Sequence, residues 1–162
     1  MDRKQERVIE WECQRVLSQN FHHVDRREFE AAANQYTSDA NWSVDGVTLN
    51  GSAEILEALY PALSDGTIRH VFTNAIVTVI DEDQAECRAY LSIYYTADAR
   101  VEDSQGPLPF ERPHRIGDQV VKMVRTEDGW WIAALQSSTI FRRNPDEPIS
   151  LEKWAKAEGK GP

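Results

Sequence analysis

Between Ile68 and Arg142 the chain carries four long runs in which apolar and polar residues alternate, and no other feature constrains the fold as strongly. Residues 68–80 and 84–97 flank the turn "DED", and residues 117–126 and 130–142 flank "EDG". A two-residue period over so many positions marks half-buried strands, and short polar turns between such runs make antiparallel hairpins. In 84–97 the odd positions Ala85, Cys87, Ala89, Leu91, Ile93 and Tyr95 form the apolar set. These face a core, while Glu86, Arg88 and Ser92 face outward. "EDGWWIAAL" reads in the same way, as a turn plus a structural strand.

Ahead of the strands the period changes. Val8, Ile9, Trp11, Cys13, Val16, Leu17 and Phe21 follow a 3.6-residue repeat, which predicts an amphipathic helix over 5–23. Asp25 with Glu28 has the form of a capping box, so a second helix is expected there, carrying Phe29, Ala32, Ala33 and Tyr36 and ending at "TSD". "NWSVDGVTL" predicts a tight hairpin, because Asp-Gly supplies the positive φ angles of a type I′ turn. A third helix follows Ser52, with Ile55, Leu56, Leu59, Tyr60 and Leu63 as its stripe and Pro61 kinking or shortening it. The connection 98–116 carries three prolines and is long for a hairpin loop, as loops covering a pocket are. A short helix at 150–157 would put Leu151, Trp154 and Ala155 on one side.

Helices first and strands after them argue α+β with a mixed or antiparallel sheet rather than alternating βαβ units. Residues 1–143 read as one domain and 144–162 as a tail. A long curved sheet wrapped around the N-terminal helices would leave a cone-shaped interior.

Eighteen basic against 27 acidic residues give a net charge of −9, which repels phosphate backbones and anionic lipid. Nucleic acid and membrane surfaces are therefore not expected partners. Cys13 and Cys87 match no metal or redox spacing and read as two reduced buried thiols, which suits a reducing compartment. With no signal-like run and no 18 uninterrupted apolar residues, a soluble cytoplasmic protein is expected. His22 and His23 are adjacent and share no helix face, so they do not suggest a metal site. There is no phosphate-binding loop, nucleophile elbow or dinucleotide fingerprint.

His70 is the polar intruder. It sits in "TIRHVFTN" among Ile68, Val71 and Phe72, and strand alternation would put Asn74 on its face. A carboxylate on one imidazole nitrogen fixes the tautomer and raises the basicity of the other, so Asp25 with His70 would make a general base. The bland alternative is a helix-capping Asp25 and a histidine satisfied in a sheet wall. Trp42, Tyr60, Tyr94, Tyr95, Phe72 and Phe110 are enough aromatics to line a pocket, with Tyr95 the inward member of its pair.

"HVDRREFEAAANQYTSDANWSVDGVTLNGSAEIL", "IRHVFTNAIVTV" and "VVKMVRTEDGWWIA" together resemble the SnoaL-like branch of the nuclear-transport-factor-2-like superfamily, over about residues 5–143. That family includes dehydratases, a dehydrochlorinase, polyketide cyclases and the small subunits of ring-hydroxylating dioxygenases. The resemblance implies a cone-shaped α+β barrel. It also implies a catalytic dyad at Asp25 and His70, and a pocket tryptophan at Trp42. The chain departs from the family's lyases at four places. Val24 stands where scytalone dehydratase has a tyrosine, Tyr95 near its second catalytic histidine, and Val44 near another tyrosine. Ala134–Gln136 replace the dehydrochlorinase's arginine. The base is kept and the leaving-group stabilisers are not, so Tyr95 or Asn74 would have to donate instead.

The expected protein is thus a lyase or isomerase of dehydratase or cyclase type, working without metal or organic cofactor. Its substrate would be a small apolar, aromatic or polycyclic molecule held by Trp42, Tyr95, Asn74, Phe72, Tyr60 and Phe21. The resemblance implies a homo-oligomer, dimer or trimer. The rival expectation is a non-catalytic ligand-binding module or a dioxygenase accessory subunit.

Overall fold

Two N-terminal helices and a six-stranded sheet share one core. A computed structural model describes residues 1–63, 66–96, 104, 106–109, 112–146 and 150–159. Most of the predicted 98–116 connection, Phe110 included, lies outside the described residues.

Helix α1 (Arg3–Asp25) starts where the Asp2 side chain accepts from the backbone N–H groups of Lys4 and Gln5, while the Asp2 N–H donates to the Gln5 side chain. This capping box satisfies donors that a helix start otherwise leaves orphaned. The box predicted at Asp25 and Glu28 does not form: α1 runs on through Asp25, and Glu28 precedes α2 (Phe29–Ala33) with no side-chain cap bond. The second helix is also shorter than its apolar spacing predicts, because β1 (Tyr36–Val44) claims Tyr36 and "TSD". Parallel pairing of Tyr36 with Ile132, and an Ile132 N–H donated to the Gln35 carbonyl, override the helical period there.

The β1–β2 hairpin (β2, Val47–Asn50) turns at Asp45 and Gly46, with φ angles of 49° and 88°, as Asp-Gly predicts. Helix α3 (Gly51–Leu63) follows, with Pro61 in its last turn, where little helix remains to break. The long strands are β3 (Thr67–Val79), β4 (Gln84–Thr96), β5 (Arg115–Thr126) and β6 (Gly129–Arg142). The sheet order is β2-β1-β6-β5-β4-β3, antiparallel except for β1 beside β6. The fold is therefore α+β with a mixed, curved sheet that stays open between β2 and β3.

Ile9, Cys13, Leu17, Phe21 and Val24 of α1 pack with the inward residues of the sheet, Ala85, Cys87, Leu91 and Ile93 among them. Trp130 anchors this contact by donating its indole N–H to Glu12 at 3.1 Å. Burial pushes the Cys13 thiol up to about 12 and that of Cys87 up to about 11, so both stay protonated and inert. Helix α4 (Ser150–Ala157) buries Leu151, Trp154 and Ala155 and closes one end of the interior against α3. Among the described residues no helix is long and apolar enough to cross a membrane.

One local irregularity decides a site residue. The β3–β4 register shifts between Thr73 and Ile76, and Asn74 sits there at φ 53°, exposed. A bulge inserts a residue and resets the two-residue alternation. Asn74 therefore does not share the inward face of His70, and the expectation built on unbroken alternation is corrected.

Candidate active site

Asp25 occupies the last position of α1, at the negative end of the helix dipole, where a carboxylate gains nothing from the helix. Its partner is on the sheet. The His70 Nδ1 lies 2.6 Å from Asp25 Oδ1, and the His70 backbone N–H donates to Oδ2 at 3.1 Å. Arg69 Nη1 donates to the Asp25 carbonyl at 3.0 Å and fixes the helix end beside β3. Both members are nearly enclosed, at 12% and 9% side-chain exposure for Asp25 and His70. Phe21, one turn back on α1, stacks on the imidazole at a centroid distance of 4.9 Å. The ring is thus held in orientation from two directions. With Nδ1 donating to the carboxylate, Nε2 carries the lone pair.

That imidazole lines a cavity of about 100 Å³ inside the cone. Its walls are mainly apolar: Phe21 and Val24 from α1, Ile55 and Leu59 from α3, Leu91 and Ile93 from β4. Leu151 of α4 also reaches it. Trp42 and Tyr95 line it too, so Asp25, His70, Phe21, Trp42 and Tyr95 gather in one place. Three other predicted lining residues do not join them. Tyr60 is exposed, bonds Glu30 and meets Phe29 edge-on; Phe72 packs against Phe21 and is not among the cavity-lining residues; Asn74 sits in the bulge.

A second, half-buried carboxylate, Asp45, pairs with the cavity-lining Arg115. Asp45 Oδ1 accepts the Thr139 N–H at 2.8 Å, and Oδ2 accepts from the Thr139 hydroxyl at 2.6 Å, Arg115 at 3.0 Å and Arg142 at 3.2 Å. Burial works to raise this carboxyl, but the Thr139 bonds and the two guanidinium charges outweigh it and hold it below its ordinary value. Arg142 also reaches Glu152 of α4 at 2.9 Å, so the network ties the closing helix to the sheet. Among the described residues no three His, Cys, Asp or Glu side chains gather to hold a metal ion.

The family description of the SnoaL-like domain matches residues 6–136, most of the chain. The chain belongs to the SnoaL-like family. None of the curated proteins matches it at a significant level. Among solved structures, a provisionally named scytalone dehydratase from Novosphingobium aromaticivorans DSM 12444 is 13% identical, over 90% of this chain and 93% of its own, with a TM-score of 0.75. A protein of unknown function from Mycobacterium tuberculosis is 16% identical over 93% of this chain and 95% of its own, at 0.73. A provisionally named aromatic ring hydroxylase from Novosphingobium aromaticivorans is 22% identical, over 81% and 88%, at 0.65. At these identities the likeness establishes the fold alone.

Several polar residues of this SnoaL-like interior escape a sequence reading. Asn20 and Tyr36 line the cavity but satisfy each other: the Tyr36 hydroxyl donates to Asn20 Oδ1 at 3.2 Å, and Asn20 Nδ2 donates to the Ala32 carbonyl at 2.9 Å. Asp45 is explained by its turn, which hides its second role. Arg115, Gln119 and Ser137 also line the cavity. Gln119 leaves a signal in the sequence: it alternates with Gly117, Val121 and Met123, so a polar side chain stands on the inward face.

Proposed function

We propose that the protein is a proton-transferring lyase or isomerase of dehydratase or cyclase type, with Asp25 and His70 as its general base. The single observation that carries this reading is the 2.6 Å contact between His70 Nδ1 and Asp25 Oδ1 on the wall of an apolar cavity. Asp25 holds the tautomer and balances the imidazolium that forms. Nε2 takes a proton from a carbon next to a carbonyl or next to a leaving group. The electron pair then moves onto the carbonyl oxygen or expels the leaving group. The cavity volume suits an occupant of about one ring, small, apolar or aromatic. Self-association as a dimer or trimer, and a reducing compartment such as the cytoplasm, belong to the same proposal.

Hydrogen exchange at carbon reads the base directly, with no leaving group required. Wild-type protein in D2O should catalyse deuterium exchange at the α-carbon of small cyclic ketones, followed by NMR. His70→Ala should lower that rate by at least about 10²-fold, in the range general-base catalysis supplies, with ligand binding retained. An unchanged rate would sink the dyad.

A second reading, an accessory or ligand-binding module, has one observation in its favour. Ile76, Tyr90 and Ile140 stand exposed on the outer sheet face, as a partner-contacting surface would require. A large oxygenase subunit co-purifying with the native protein would support it.

A further inference from the structure

Gln119 lies at the centre of β5 and is 2% exposed. Its side chain lines the cavity, and its Oε1, an acceptor, is buried without a hydrogen-bond partner among the described residues. The Trp42 Nε1, a donor, is likewise buried on the cavity wall and without a partner among those residues. Buried amides and indoles are almost always satisfied, and an orphaned one destabilises the empty fold. One unmet acceptor and one unmet donor on a small cavity call for a group that both donates and accepts.

These two demands exclude most ligand chemistry. A ketone, ether or carboxylate oxygen offers Gln119 Oε1 no proton, an ammonium offers the indole no lone pair, and a hydrocarbon offers neither. A hydroxyl is the smallest group that answers both, donating its O–H to Gln119 Oε1 while its oxygen accepts from Trp42 Nε1. Charge beside the cavity is already balanced, since Arg115 and Arg142 pair with Asp45 and Glu152. The group that fits is therefore neutral. Sheet register brings its two partners to one region: Trp42 pairs with Leu135 and Leu135 with Val121, while Ser137 pairs with Gln119. The indole thus stands one inward position from Gln119 along the sheet, or about 7 Å, and two strands across, or about 10 Å. From there both side chains reach the same cavity.

We propose that Gln119 and Trp42 form the orienting subsite for a neutral hydroxyl, so that the cavity takes small cyclic alcohols in preference to hydrocarbons or carboxylates. This rests on the reading of the cavity as the substrate site. Gln119 accepts the ligand O–H, Trp42 donates to its oxygen, and the walls of Leu91, Ile93 and Leu59 take the ring. Because the cavity is only about 100 Å³, an occupant that fills it also meets His70. The hydroxyl thereby fixes which ring carbon is presented to the base.

The test compares three probes of similar shape, titrated by NMR into wild-type protein, Gln119→Leu and Trp42→Phe. Cyclohexanol donates and accepts, cyclohexanone only accepts, and methylcyclohexane does neither. Relative to methylcyclohexane, cyclohexanol should weaken about tenfold in Gln119→Leu while cyclohexanone does not change. In Trp42→Phe cyclohexanol and cyclohexanone should both weaken several-fold on the same scale. If the ratio of cyclohexanol to cyclohexanone affinity is the same in wild type and Gln119→Leu, or if all three probes weaken together in both variants, the subsite is overturned while the cavity survives as a ligand site. If no probe shifts the His70 and Ile93 resonances of wild type, water alone meets the two groups and the subsite is overturned. If the ratios move as expected but deuterium exchange is the same in wild type and His70→Ala, the subsite stands and the general base falls.

Discussion

Asp25 and Asp45 are two aspartates with the same 12% side-chain exposure, and each is held by a cationic or ionisable partner that is itself 9% exposed. Their chemistry differs because their partners differ. Asp25 binds both its oxygens to a single histidine, whose second nitrogen has no protein partner among the described residues. Asp45 is saturated by a threonine and two arginines that cannot release a proton at any ordinary pH. Burial alone therefore does not set the chemistry of a carboxylate. Both His70 and Arg115 line the cavity, so what separates the two sites is the partner's chemistry, an imidazole at Asp25 and guanidinium groups at Asp45.

Crossing the two sites gives the largest effect expected. Asp25→Asn should cost turnover about 10² to 10⁴-fold and little stability, because the imidazole loses the carboxylate that fixes its tautomer. Nitrogen-15 shifts of the His70 ring should move with it. Asp45→Ala should do the reverse, leaving the dyad in place and costing about 3–5 kcal/mol of unfolding free energy in a urea titration, because Arg115 is left buried without a counter-charge. If Asp45→Ala abolished exchange as thoroughly as Asp25→Asn, with the fold intact, the distinction would collapse.

Acid provides a finer probe. The Asp45 carboxyl is depressed in the folded state, so the unfolded chain binds its proton more readily. Its contribution is fully present above the ordinary carboxylate value of about 3.9, and is lost as pH falls through the lower folded value. Melting temperature should therefore fall below about pH 4, and Asp45→Asn should flatten that slope.

The smallest effects separate the closing helix and the bulge from both sites. Glu152→Gln should loosen α4, with faster amide exchange at Leu151–Ala155 and a loss of about 1 kcal/mol, since the Arg142 pair is partly solvated. Asn74→Ala should cost about 1 kcal/mol for its left-handed backbone and leave ketone exchange unchanged. A large loss of exchange in Asn74→Ala would restore it to the site.

Much of this molecule is legible in its residues. Period-two runs specify the four long strands and which side chains of β4 face inward, and the Asp-Gly pair specifies the hairpin turn at Asp45 and Gly46. These follow from local sterics and from alternation, which act on neighbours in the chain. Residue chemistry likewise singles out His70 as a polar group on an apolar strand. Distance across the fold decides the rest. Tyr36 leaves a helical pattern for a strand because β6, almost 100 residues on, offers it a partner at Ile132. Asn74 turns outward because one inserted residue resets the pleat. The 45-residue gap between Asp25 and His70 is closed by docking α1 on β3, and only then does a helix-end aspartate gain a histidine. Gln119 is similar: alternation reveals a polar residue facing inward, but only packing shows that no described protein group meets its carbonyl oxygen.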